Sequence, residues 1–111
     1  MSDEWEWARQ HHSMERARCM EALHTVIRDL DVIDGKIRAE YPSDTWYVAH
    51  KVIKDVYTYA QHNDVHHALV ASEPLILMVP YNWQGDVIKL RNDLKAMEKA
   101  CEHMPHYLQL V

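Results

Sequence analysis

His62 and His66 are separated by three residues, a spacing that on one helix sets two imidazoles a turn apart on a single face, where both can ligate one transition metal. His67 and Asp64 stand beside them, and His24, His50, Glu98 and Glu102 are the donors available to complete a shell from neighbouring helices. The pair lacks the glutamate of an HExxH motif, so it has no general base for hydrolysis. Glu21 and His24 make one half of a di-iron bundle signature, and no second ExxH follows. Two correctly spaced ligands without a third are more often solvated histidines, so a metal-binding bundle on His62 and His66 is the alternative reading.

Nucleophilic chemistry finds no set. None of the four serines lies in a GxSxG context, and the only glycines, Gly35 and Gly85, cannot build a phosphate-cradling loop. Cys19 and Cys101 fall on apolar seams without CxxC spacing, which predicts two reduced, buried thiols acting as small core residues. The expectation is a protein that is not an enzyme, with no catalytic or cofactor-binding residues.

The remaining signal is aromatic. Four tryptophans and six tyrosines occur with no phenylalanine, and rings with a polar handle suit surfaces where one end is apolar and the other wet. Trp46 has a core address. Trp5 and Trp7 straddle two faces of a helix start, so at least one is exposed or intermolecular; Trp83, beside Tyr81, either lids the core or anchors a partner. With the apolar tail residues Tyr107 and Leu108, these make the candidate interface: Trp5, Trp7, Tyr81, Trp83, Tyr107 and Leu108.

The net charge of -5 and the absence of a basic run disfavour phosphate neutralisation, hence nucleic-acid binding. Nine histidines mean that full protonation would move the formal charge from -5 to +4, so association is expected to depend on mildly acidic pH. Residues 1–20 lack the basic start and apolar stretch of a signal peptide, and no apolar run approaches the ~18 residues of a membrane span. A cytoplasmic protein with no membrane partner is expected.

The elements that must hold these residues are helical. Cys19, Leu23, Val26, Leu30, Ile33 and Ile37 repeat with 4-3-4-3-4 spacing, which predicts an amphipathic helix to about Glu40. Residues 1–18 read as a loosely packed helical extension. After Pro42, Ser43 and Asp44 can cap a second helix carrying Trp46, Ala49, Ile53, Val56 and Ala60. Asn63 and Asp64 either cap a separate short helix or lie within a longer second one. Pro74 and Pro80 bracket an apolar pentapeptide, read as helical or as a connector because no second strand exists to pair with it. Val87, Leu90, Leu94, Met97, Cys101 and Met104 define a last helix ended by Pro105, and 105–111 is an apolar tail.

One domain over 1–111 follows: an all-α, small antiparallel bundle of three long helices plus one or two short helical segments. Strict seams on the first and last helices suggest a core finished by a second copy, so a homodimer is expected. The leading function is a small protein-interaction module that occupies a partner's surface, with a composition common among inhibitor-type accessory proteins of phages and mobile elements. Besides the metal reading, the other alternative is a small-ligand sponge at an oligomer seam.

Overall fold

The computed structural model describes residues 2–41 and 43–104, with side chains described from residue 13 onward except residue 45. Helix α1 spans Ser2–Glu40, α2 Ser43–Gln61, α3 Val65–Met78 and α4 Gln84–Ala100, with one 3-10 turn at Tyr81–Trp83. No strand occurs among the described residues, and no helix is long and apolar enough to cross a membrane. The expected inventory of three long helices changes: α1 has 39 residues, and the other three have 14 to 19.

The apolar spacing carries the core almost residue for residue. Cys19, Leu23, Val26, Leu30, Ile33 and Ile37 of α1 are all buried, and so are Val87, Leu90, Leu94 and Met97 of α4 together with Cys101 and Met104 beyond its end. Ala49, Ile53, Val56 and Ala60 face them from α2, and Val65, Ala68 and Leu75 from α3. Contacts run in a ring, α1 to α2 to α3 to α4 and back to α1. The two strict seams are therefore filled by helices of the same chain, which removes them as a reason to expect a second copy.

Short connections set the order. α2 ends in a Schellman motif: Asn63 takes a left-handed φ of 58°, its amide reaches the Ala60 carbonyl at 3.0 Å, and the Asp64 amide reaches that of Tyr59 at 2.8 Å. Asn63 is buried and its Nδ2 donates to the Met104 carbonyl at 3.2 Å, tying this turn to the segment after α4. Asp64 then caps α3 by accepting from the His67 amide. The open choice at 63–64 thus falls to a separate helix.

Pro74 lies inside α3, so the apolar pentapeptide is helical through Met78. An interior proline removes one backbone bond and crowds the carbonyl four residues back, at a cost of about 3 kcal/mol. Next to that carbonyl, the Leu69 oxygen accepts from Arg91 at 2.9 Å and from the Ser72 hydroxyl at 2.7 Å, so polar groups of α4 and α3 hold the turn.

α4 stops at Ala100, earlier than the spacing to Met104 implies. Cys101 is bonded to Cys19, and Met104 closes a turn onto the Cys101 carbonyl at 3.0 Å. The expectation of two reduced thiols is overturned: two buried seam positions on facing helices bring the sulfurs together, and no free cysteine remains among the described residues.

The molecule measures 61 × 23 × 20 Å. At about 1.5 Å per residue, α1 alone accounts for that length, and its first two dozen ångströms run past the Cys19–Cys101 bond. Along α1 and α4, Lys36 pairs with Asp86, Asp29 with Lys89 and Cys19 with Cys101, so positions descend on one helix as they ascend on the other.

Candidate interaction surface

The histidine pair is split by the turn at Asn63. His62 stands just past α2 and donates from Nδ1 to the Thr58 carbonyl at 2.7 Å, whereas His66 belongs to the first turn of α3. The one-turn spacing presumed a continuous helix, and the left-handed residue between the two breaks it. Of the other proposed ligands, His24 is exposed on α1, and His50 is engaged at the opposite end of the bundle. His66, Glu98 and Glu102 line one shallow recess beside Cys101. Among the described residues, no three histidine, cysteine, aspartate or glutamate side chains gather to hold a metal.

The aromatic candidates divide. Tyr107 and Leu108 lie outside the described residues, as do the side chains of Trp5 and Trp7. Trp83 is half-buried against the core and meets Tyr41 edge-on, with ring centroids 6.2 Å apart. Tyr81, two residues earlier, is 90% exposed. The 3-10 turn that carries both is tied back to α3 by Gln84, whose Nε2 donates to the Ile76 carbonyl at 3.3 Å.

Before this turn, α3 presents an outer face with exposed apolar residues. The inner face of α3 is Val65, Ala68, Ser72 and Leu75, all buried. Its outer face presents Val70, Glu73, Pro74 and Leu77, all exposed, while Tyr81 stands beyond the end of α3, past the extended residues Val79 and Pro80, in the 3-10 turn that follows. Leu77 is 91% exposed and Val70 is 51% exposed. No described element covers this face.

Two polar clusters join residues far apart in sequence. At the junction of α1 and α2, one oxygen of Asp34 accepts from the Trp46 indole at 3.2 Å and from His50 Nδ1 at 3.0 Å. The His50 ring stacks on Trp46 at 4.7 Å, and the Arg38 guanidinium lies 5.2 Å from the Trp46 ring. Trp46 packs half-buried against the core, and its meeting with His50 depends on where α2 folds back on α1, which no local spacing reveals.

Between α1 and α4, Lys89 reaches Asp29 at 2.9 Å and Asp93 at 2.8 Å. Burial, then a hydrogen bond shared with Asp93, pushes the Asp29 carboxyl above its ordinary range. The same hydrogen bond holds Asp93 below its ordinary range, with Lys89 adding to the effect. Hydrogen bonds to Asp93 and Asp29 raise Lys89, which stays charged throughout.

No known protein family matches the chain, and no curated protein or solved structure matches it either. Function is therefore argued from these surfaces alone.

Proposed function

We propose that this chain is a small protein-interaction module, an antiparallel helical bundle that self-associates through the outer face of α3 and acts by occupying a partner's surface. The carrying observation is the exposed apolar group of Val70, Pro74 and Leu77 on α3 with Tyr81 in the turn that follows, Leu77 and Tyr81 being 91% and 90% exposed. Contiguous apolar exposure of this kind marks interaction sites rather than ordinary surface scatter. A second copy is the proposed occupant, because an apolar patch can face itself across a two-fold axis; Glu73, exposed on the same face between Val70 and Leu77, is a charge that this contact must accommodate.

The cytosolic setting stands on the sequence reading alone; thiols there are held reduced, so the Cys19–Cys101 bond argues for an oxidising compartment instead.

Sedimentation velocity tests the assembly. The wild type is expected as a dimer of the 13.2 kDa chain, and Leu77→Glu with Tyr81→Glu as a monomer of unchanged helical circular dichroism, since both side chains face solvent. A wild type that stays monomeric at high concentration, or a double variant that stays dimeric, overturns the proposal.

A further inference from the structure

A cleft of about 310 Å³ opens at the α1/α2 corner, lined by Arg38, Tyr41, Ser43, Trp46 and Tyr47. That volume is at the small end of ligand sites and suits one or two side chains. We propose that this cleft receives a segment of a protein partner bearing a single carboxylate, with the carboxylate on the Arg38 guanidinium and the neighbouring ring or apolar side chain lying against Tyr47, since His50 and Arg38 already lie on the Trp46 ring. The inference rests on the interaction-module reading and names the chemistry of what that module recognises.

The reason begins with Asp34. Standing four residues before Arg38, it is the carboxylate placed to pair with that guanidinium along the helix. It is occupied instead by the Trp46 indole and His50. Arg38 is left over the Trp46 ring at 5.2 Å, and among the described residues it makes no ion pair or hydrogen bond. A guanidinium carries five N–H donors in a rigid fork that matches a carboxylate with two parallel bonds. Stacking on the indole fixes the fork before a partner arrives, which lowers the ordering cost of binding.

The floor is equally prepared. Trp46 and Tyr47 lie with ring centroids 5.1 Å apart, and Tyr47 is 65% exposed. Arginine, tryptophan and tyrosine together are the residue types that carry most of the energy at interfaces. Glu40 and Asp44 are exposed on the two helix ends that flank the cleft, so a single carboxylate next to an apolar group is favoured over a dianion or a polyacid.

The test is an amide-resolved NMR titration of the full chain with the capped dipeptide acetyl-Glu-Tyr-amide. Acetyl-Gln-Tyr-amide and inorganic phosphate serve as the comparison probes. Saturable shifts of the Trp46 indole N–H and the Arg38 Nε–H are expected with the glutamate peptide, at least about tenfold weaker with the glutamine peptide, as loss of a charge-assisted hydrogen bond implies. Arg38→Met should weaken the glutamate peptide by the same factor while leaving resonances of the core unchanged. Equal response to the glutamine peptide, no response up to the solubility limit, or phosphate binding as tightly as the peptide overturns the assignment. Dimerisation without a peptide response would refute the cleft alone, and a peptide response in a strictly monomeric protein would refute the α3 interface alone.

Discussion

At Asp29 an acidic side chain that is only 9% exposed shares its space with Asp93 and a single ammonium. The folded chain holds the Asp29 proton more tightly than the unfolded chain, so this group stabilises the fold at low pH and the contribution is lost as pH rises through its raised value. Asp93 behaves oppositely: its contribution is present above the ordinary carboxylate range and is lost as pH falls through its lowered value. Stability from this cluster is therefore greatest between the raised value of Asp29 and the lowered value of Asp93. Asp29→Asn keeps a donor for Asp93 and an acceptor for Lys89 at every pH. Urea unfolding of that variant should show a flatter pH dependence than the wild type and a gain of about 1 kcal/mol at pH 8, the scale of one hydrogen bond. An unchanged pH profile would remove the Asp29 proton from the account.

The connections between helices depend on single residues, and Asn63 is the one that bears most. It supplies the left-handed turn that ends α2 and the buried bond to Met104 that anchors the segment after α4. These two roles separate by substitution. Asn63→Gly keeps the backbone freedom and leaves the Met104 carbonyl without this donor, an expected loss of about 1–2 kcal/mol. Asn63→Ala also forces a Cβ into left-handed geometry, adding about 1 kcal/mol. Denaturant midpoints of the two variants should fall in that order, and equal midpoints would show that the backbone conformation is not the constraint. The same turn explains why the His62 and His66 spacing misleads: periodicity counts residues but does not register a reversal between them. Pro74 misleads in the other direction. Its rule is local and unfavourable, whereas the buried Leu75 beyond it and the Arg91 bond to Leu69 keep the helix going.

For the whole molecule, the Cys19–Cys101 bond joins positions 82 residues apart and thereby closes α1 onto the end of α4. Restricting so large a loop in the unfolded chain stabilises the fold by about 4 kcal/mol on the chain-entropy account. Cys19→Ser with Cys101→Ser should therefore lower the unfolding free energy by about that amount, read from urea midpoints against the untreated wild type. Two titratable thiols in the freshly purified native chain would overturn the bond itself. Before Cys19, Ser13, Met14, Arg16, Ala17 and Arg18 are exposed and Glu15 is half-buried.

What the sequence determined by itself is the helical class and nearly the entire core, because burial repeats with the period of the helix. The seams at 19–37 and 87–104 and the start of a helix after Pro42 are all legible from spacing and residue type. The tertiary structure alone decided which seams face one another, and every cross-helix feature depends on that. Cys19 and Cys101 look like separate core thiols until α1 and α4 are laid side by side. Asp34, Arg38, Trp46 and His50 belong to two helices, and their convergence needs the angle of the turn between them. The exposed face of α3 was hidden for a related reason: Val70 and Leu77 are apolar like their buried neighbours, and only the packing of the other three helices fixes which face of α3 is left to solvent.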